Sequence, residues 1–235
     1  MEESRINKAT QPYLIQNTHL LLELPEEDRD VLNKHTRVEK RKRGDILFKE
    51  GTFPVGAYHL ISGKIKIYQG TGEGSRQTLY IYSDGDLIGY RQLIAGEVNP
   101  VSAAFLEDSV IQFIPAETFR ILITKSPVFA RNILSALASE FTVWMNRMTV
   151  FKRYPVRSRL ALALLMLYQQ YSLSGKTPGT ITITRTDLAE FVGASLETIV
   201  RGLNTFKSRN IVQIKGRQIV LKDPSVLLEL LAQEQ

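Results

Sequence analysis

Residues 183–201 read ITRTDLAEFVGASLETIVR, a spacing typical of two short helices joined by a tight turn. Gly193 stands where such a turn needs a left-handed residue. Ser195 follows as a good N-cap, because its side-chain oxygen can accept a hydrogen bond from the first helical turn. The apolar face predicted for the second helix consists of Ile199, Leu203 and Phe206. The stretch therefore predicts a helix-turn-helix.

The residues around this motif extend it to a winged helix. A short strand-like segment, residues 181–184, precedes the first helix, and two further strand-like segments, residues 211–214 and 218–221, follow the second. The last two flank Lys215-Gly216-Arg217, so they predict a hairpin with a basic tip. Pro155 fits the first position of the helix that opens this domain, which we assign to residues 155–235.

Positive charge is concentrated in the same part of the chain. Residues 1–149 contain 18 Lys and Arg against 18 Asp and Glu, whereas the remaining residues contain 12 against 6 and carry the whole net charge of +6. Basic charge gathered in one segment is an electrostatic footprint for a polyanion, although it also fits a solvated basic surface.

A helix fits the major groove of B-DNA, and its first residues then face the base edges. Arg can pair with guanine and Glu can accept from cytosine N4, while apolar side chains contact thymine methyl groups. The predicted base contacts are Leu196, Glu197, Val200 and Arg201. The predicted phosphate contacts are Thr184, Arg185, Ser195, Thr198, Lys215 and Arg217. Double-stranded DNA is therefore the expected partner.

The sequence between Val38 and Pro115 is typical of β-strands. Short runs of Val, Ile, Tyr and Phe alternate with glycines, and residues 64–68 alternate polar and apolar side chains with the period of a half-buried strand. Many short strands with regular turns predict a barrel or sandwich. A short helix is expected before it, from about Pro25 to Asn33.

Between residues 127 and 151 the period becomes helical. Apolar residues recur in steps of 4 and 3, which is a heptad seam starting at Ala130. Such a seam can pack on the helix's own domain, but its narrowness favours a helix–helix homodimer. The predicted interface residues are Leu134, Leu137, Phe141, Trp144, Met148 and Phe151. The seam ends at Lys152-Arg153-Tyr154, which we interpret as a hinge.

The composition excludes several kinds of covalent and metal site, and it bears on where the protein is located. The chain has no cysteine, so disulfides, thiolate metal sites and cysteine-ligated iron–sulfur clusters are excluded. No apolar run approaches the roughly 20 residues of a membrane span, and the acidic N-terminus predicts no secretion signal. We therefore expect a cytoplasmic protein without a membrane partner.

Residues 183–201 closely resemble the helix-turn-helix of the CRP/FNR transcription regulators. Residues 43–51, 60–67 and 85–89 resemble that family's cyclic-nucleotide-binding-type β-roll, and the heptad helix falls where the family has its dimer helix. The resemblance implies an α+β fold with a β-roll in residues 1–125, a dimerisation helix and hinge in 126–154, and a winged helix in 155–235. It also implies a homodimer that reads a two-fold-symmetric operator and contacts RNA polymerase.

The departures from the family concern its effector site. Where cyclic-AMP-binding members have Glu and Arg for the ribose and the phosphate, this chain has Tyr90 and Val101, so we do not expect cyclic AMP to bind. The candidate effector pocket consists of Tyr90, Arg91, Ser102, Trp144 and Met145. It holds either an unidentified effector, less polar than cyclic AMP or differently charged, that modulates DNA binding, or only its own side chains. No cofactor or metal is identified, and His19, His35 and His59 show no ligand spacing for haem.

Two rival interpretations belong to other classes. Jelly-roll enzymes hold a metal with clustered histidines, and three scattered histidines without a His-x-His argue against one. A nucleotide-sensing subunit that binds a protein is disfavoured by the complete helix-turn-helix and the basic wing. We therefore predict a regulator and not an enzyme.

Overall fold

The computed structural model describes residues 2–15, 17–22, 24–70, 72, 74–173 and 179–234. The helices are α1 (Glu2–Thr10), α2 (His19–Leu22), α3 (Glu26–His35), α4 (Tyr90–Ala95), α5 (Ala116–Lys125), α6 (Pro127–Arg153), α7 (Val156–Leu173), α8 (Arg185–Val192), α9 (Leu196–Ser208) and α10 (Pro224–Ala232). The strands are β1 (Arg37–Arg41), β2 (Ile46–Phe48), β3 (Gly56–Ser62), β4 (Ile65–Gly70), β5 (Arg76–Tyr82), β6 (Leu87–Ile88), β7 (Ser102–Phe105), β8 (Ser109–Pro115), β9 (Thr180–Thr182), β10 (Val212–Lys215) and β11 (Gln218–Leu221).

The chain divides into two compact units. The β-roll unit comprises Ile15–Phe141, and the winged-helix unit comprises the residues before Ile15 together with those from Thr142 onward. The long helix α6 therefore contributes to both units. The sequence predicted domains 1–125, 126–154 and 155–235, and no pattern in it indicated that the residues before Ile15 lie with the winged helix.

Two four-stranded antiparallel sheets form the β-roll unit, with strand orders β1-β8-β3-β6 and β2-β7-β4-β5. The predicted mixed fold with an N-terminal β-roll is confirmed. Gly63 lies between β3 and β4 at a φ of 121°, and a Cβ there would lie 2.0 Å from the Ser109 hydroxyl oxygen. Only glycine therefore fits this turn.

One expectation, that residues 64–68 form a half-buried strand, is wrong in its burial. The alternation of residues 64–68 predicted a half-buried strand, but Lys64 and Lys66 are buried along with their apolar neighbours. The Lys64 ammonium donates to the Gly63 carbonyl oxygen at 3.2 Å and lies 3.5 Å from Asp84, and the Lys66 ammonium lies 5.4 Å from the centre of the Tyr68 ring. The Gly63 carbonyl, Asp84 and the Tyr68 ring are the partners that allow these long side chains to be buried.

The core of the β-roll unit forms where its helices cover the sheet of β1, β8, β3 and β6. Phe119 of α5 and Phe129 of α6 meet edge to face with ring centroids 5.4 Å apart. Tyr90 of α4 stacks on Phe119 at 6.5 Å. The first half of α6 is thus part of the β-roll core, as the buried residues Ile133 and Ala136 also indicate.

In the winged-helix unit, α7 is the central helix. Residues 160–167 are all buried, so the longest apolar run of the sequence is a core helix. Strands β10, β11 and β9 form a three-stranded antiparallel sheet in that order, which contains the predicted wing hairpin. Among the described helices, none is both long enough and apolar enough to cross a membrane.

Candidate nucleic-acid interface

The two helices of the helix-turn-helix, α8 and α9, begin and end at well-defined capping residues. The Thr184 hydroxyl oxygen accepts from the Asp187 amide at 3.0 Å where α8 begins, and Gly193 ends α8 in the left-handed conformation with a φ of 69°. The Ser195 hydroxyl oxygen then accepts from the Thr198 amide at 3.2 Å and starts α9. Because Ile199, Leu203 and Phe206 are buried, α9 is fixed on the unit by one face.

The opposite face of α9 is open. The side chains of Glu197 and Arg201 are 78% and 71% exposed, and Leu196 and Val200 are the apolar residues exposed beside them. Arg201 Nη2 lies 3.7 Å from Glu197 Oε1, a pair one helical turn apart. An exposed pair of this kind contributes little free energy, so both side chains can turn towards another partner. The four predicted base-contact residues share this one face.

The wing is anchored to the start of α8. Arg185 Nη2 donates to the carbonyl oxygen of Gly216 at 2.9 Å, and the Ile183 amide donates to that of Arg217 at 3.1 Å. Burial lowers the pKa of the Arg185 guanidinium. Lys215 and the side chain of Arg217 remain exposed at the wing tip.

The predicted phosphate contacts therefore fall into two groups. The hydroxyls of Thr184, Ser195 and Thr198 take part in helix caps, since Thr184 also bonds the Asp187 carboxylate at 2.5 Å and Ser195 bonds Thr198 at 2.8 Å. Lys215 and Arg217 are exposed cations. Arg185 stands apart from both groups, because its Nη2 bonds the wing and its Nη1 is buried, without a hydrogen-bond partner among the described residues.

Of the residues predicted for the effector pocket, Tyr90 and Arg91 are held in the interior of the β-roll unit. Tyr90 is 1% exposed, and its hydroxyl donates to Glu140 Oε1 at 2.7 Å. Arg91 Nη2 donates to the Tyr82 hydroxyl at 2.9 Å, and its Nε lies 3.3 Å from Glu140 Oε2. Burial raises the pKa of both the Tyr82 and Tyr90 hydroxyls, so they remain protonated. These side chains fill the interior between α4, β5 and α6.

Of the other three predicted pocket residues, Ser102 belongs to the β-roll unit and Trp144 and Met145 belong to the winged-helix unit. The Ser102 hydroxyl oxygen accepts from the Glu50 amide at 3.0 Å. Trp144 is half-buried and Met145 is 54% exposed, both on the part of α6 that belongs to the winged-helix unit. Sequence reasoning missed Tyr82 and Glu140. A lone carboxylate in the apolar sequence of α6 was the one signal that could have pointed to Glu140.

A separate cleft of about 350 Å³ opens in the β-roll unit. Phe48 and Tyr58 line it with ring centroids 6.3 Å apart, and Gly89 and Asn99 border it. Phe53, which is 73% exposed, also lines the cleft. None of these residues belongs to the predicted effector pocket.

Along α6, a narrow apolar stripe is uncovered. Its members are Leu134 (66% exposed), Phe141 (66%), Met145 (54%) and Met148 (70%). Of the other predicted interface residues, Leu137 packs partly against the β-roll core, and Trp144 and Phe151 are half-buried. The exposed stripe keeps the heptad spacing but includes Met145, which was predicted for the effector pocket.

Comparison with known proteins identifies both units. Residues 38–126 match the cyclic nucleotide-binding domain family and residues 158–230 match the Crp-like helix-turn-helix domain family. The fumarate and nitrate reduction regulatory protein of Vibrio cholerae is 31% identical over 198 residues, which are 82% of this chain and 79% of that protein. The protein of the same name from Yersinia pestis is 30% identical over the same shares.

Solved structures agree in fold. FixK2 from Bradyrhizobium japonicum superposes with a TM-score of 0.74 at 21% identity, over 83% of this chain and 96% of that one. A CRP/FNR family transcriptional regulator from Thermus thermophilus gives 0.69 at 20% identity, over 85% and 100%. With both domains matched in order and relatives at or above 30% identity along most of the chain, this protein belongs to the CRP/FNR family of DNA-binding transcription regulators.

Proposed function

We propose that the protein is a homodimeric regulator that reads a two-fold-symmetric operator, with α9 of each copy in one half-site. The observation that carries the proposal is the face of α9, where an acid and a base are exposed at the start of a firmly capped helix. Each recognition helix would enter the major groove about one helical turn, roughly 34 Å, from the other. The relatives named above are regulatory proteins, which supports a regulator and not an enzyme.

The side chains of α9 suggest what the half-site contains. Arg201 is suited to pair with a guanine and Glu197 to accept from a cytosine N4 amine, so we expect a G·C-containing core. Leu196 and Val200 are suited to thymine methyl groups. Lys215 and Arg217, which are exposed at the wing tip, would contact phosphates and set the position of the helix without reading sequence, while Arg185 holds the wing through its bond to Gly216.

The dimer would form along the exposed stripe of α6. Leu134, Phe141, Met145 and Met148 follow one another in steps of 7, 4 and 3 residues, the heptad spacing that brings two helices together in a coiled coil. A two-fold axis would place each stripe against its copy. RNA polymerase is the further partner that we expect for a regulator of this family, in the cytoplasm.

We infer that no small molecule is needed inside the β-roll for DNA binding. Tyr90 and Arg91 already contact Glu140 of α6, as an effector at the predicted pocket would have to do. A ligand there would have to break a buried hydrogen bond and an ion pair, which disfavours its binding. The alternative is an effector-modulated regulator, and the cleft beside Phe48 and Tyr58 is where such a molecule has room.

Selection from a random duplex pool by the purified, effector-free protein at about 0.1 M salt tests the proposal. We expect an inverted repeat with a G·C-containing core. Recovery of only salt-sensitive, sequence-independent binding would overturn effector-free recognition. Retention of no duplex at any salt concentration would overturn the DNA-binding function itself.

Calorimetry separates the two effector hypotheses. Titration of the protein with cyclic AMP, cyclic GMP and a panel of less polar aromatic acids should give no heat of binding if the interior is filled. A ligand that binds, and that no longer binds Tyr58→Ala, would favour an effector in the cleft. A ligand whose binding requires Tyr90 would contradict the filled interior.

A further inference from the structure

The first helix of the chain packs on the winged-helix unit. Helix α1 contacts α7 and α10, which are both core helices of that unit. Ile6 is 2% exposed and Thr10 is 0% exposed, so one face of α1 is buried there. The Thr10 hydroxyl donates to the Ile6 carbonyl oxygen at 2.9 Å and also bonds the Gln169 side chain of α7.

The residues after α1 continue along the same unit towards the hinge. Asn146 of α6 donates through Nδ2 to the carbonyl oxygen of Pro12 at 2.9 Å. The hydroxyls of Tyr13 and Tyr154 are hydrogen-bonded, and burial together with this bond raises the pKa of Tyr13 to about 12. Tyr154 directly precedes Pro155 at the junction of α6 and α7. The segment thus contacts Tyr154, between the end of α6 and the start of α7.

Ile15 and Asn17, further along the chain, are hydrogen-bonded within the β-roll unit. The Ile15 amide donates to the Tyr80 hydroxyl at 2.5 Å. Asn17 forms two hydrogen bonds with the backbone of Leu87, each 2.9 Å long, and its Nδ2 lies 3.1 Å from Glu140 Oε1. Glu140 is the carboxylate that also holds Tyr90 and Arg91. Residues 15 and 17 therefore touch the interior cluster of the β-roll.

We propose that residues 2–15 together with Asn17 are a strap that positions the winged-helix unit for DNA binding. The chain passes between the units at Leu14–Ile15 as well as within α6, so the strap is a second connection. A unit joined by a single chain connection can rotate about it. A second connection that is anchored at both ends restricts that rotation. A restricted unit loses less conformational freedom when both recognition helices engage an operator. The proposal rests on the operator-reading function, and it assigns to this strap a positioning role in it.

The test uses the full-length protein and three variants. Ile6→Ala removes the buried anchor of α1 while keeping a good helix former. Tyr13→Phe removes only the hydroxyl that bonds Tyr154. Ser4→Ala, at an exposed position of the same helix, is the matched control. Amide hydrogen exchange of α1, α7 and α10 reports docking of the strap without any DNA, and fluorescence anisotropy reports affinity for the selected operator.

We expect protected α1 amides in the wild type and in Ser4→Ala, and faster exchange of α1 in Ile6→Ala. Operator affinity should fall by about 5- to 150-fold in Ile6→Ala, as for a typical coupling between sites, and less in Tyr13→Phe. Affinity for unrelated duplex should stay unchanged, because the DNA-contacting residues are intact.

Unprotected α1 amides in the wild type would overturn the strap. Faster exchange in Ile6→Ala with operator affinity within twofold of wild type would overturn its positioning role. If all four proteins lack specific DNA binding, the operator-reading function fails and the positioning role fails with it. The exchange data would still establish whether α1 is docked.

Discussion

At the scale of single residues, Arg201 and Glu197 determine how DNA would be read. The two side chains are exposed and only weakly paired at 3.7 Å. Arg201→Ala should cost about 1–3 kcal/mol of operator binding and relax specificity at one base pair, because one bidentate contact is lost. Anisotropy against the operator and its single-base variants measures both effects.

Lys207→Ala is a charge-matched control for this prediction. Lys207 is exposed on the same helix, but in its last turn, away from the base-facing end. We expect it to weaken binding to all duplexes alike. If Arg201→Ala instead discriminates every operator variant as the wild type does, α9 does not read that base pair.

Asp86 carries the clearest pH dependence. Burial raises its pKa from an ordinary value of 3.8 to about 7, with the neighbouring Glu140 adding to the effect. The folded state then keeps the proton up to about pH 7 while the unfolded chain loses it near pH 4, so the free energy of unfolding falls as the pH rises between these values. The stability contribution is present at low pH and lost at neutral pH.

Asp86→Asn should remove this loss. Between about pH 5 and pH 8, its free energy of unfolding should rise relative to wild type by up to about 3 kcal/mol, since one pKa unit corresponds to about 1.4 kcal/mol. Denaturant unfolding across this range measures the difference. Asp30→Asn on the exposed surface of α3 is the control and should show no such rise. A constant difference for Asp86→Asn would contradict the raised pKa.

Residue-level prediction from sequence succeeded where local chemistry decides. Gly193 and Ser195 were recognisable because a left-handed turn and an N-cap each favour few residue types. Lys64 and Lys66 were assigned to a solvated face, yet both are buried. Their burial depends on Asp84 and Tyr68, and alternation along a strand carries no information on such partners.

At the scale of elements, α6 combines two roles. Ile133 and Ala136 pack into the β-roll core, while Leu134 and Phe141 are uncovered on another side of the helix. The heptad period predicted the uncovered stripe at Leu134, Phe141 and Met148. It placed the partly covered Leu137 in the seam and left out the exposed Met145, because packing on the rest of the fold, and not the period, decides which side chains beside the stripe are covered.

Phe141→Glu should disrupt the proposed dimer. The change removes the burial of a large apolar side chain and places a carboxylate in the seam of both copies. We expect the dissociation constant of the dimer to rise about 100-fold or more, as measured by sedimentation. Ser139→Glu, an exposed site on α6 outside the stripe, should leave it unchanged. A Phe141→Glu protein that remains dimeric would place the interface elsewhere.

At the scale of the whole molecule, the sequence predicted two domain types and which of them is basic. Local sequence patterns determine those features, namely the runs of strand-forming residues, the helix-turn-helix motif and the distribution of charge. The sequence did not predict that the residues before Ile15 belong to the winged-helix unit. That assignment depends on contacts between residues far apart in the chain, such as Asn146 with Pro12, for which a short polar segment gives no periodic signal.

In the proposed complex, two α9 helices of one dimer bind two half-sites at once without an effector. The most direct measurement compares affinity of the effector-free protein for the selected operator and for the same operator with about five base pairs, half a helical turn, inserted at its centre. The insertion rotates one half-site to the opposite face of the duplex, so we predict a loss of about 100-fold or more in affinity. Equal affinity for the two duplexes would contradict the account.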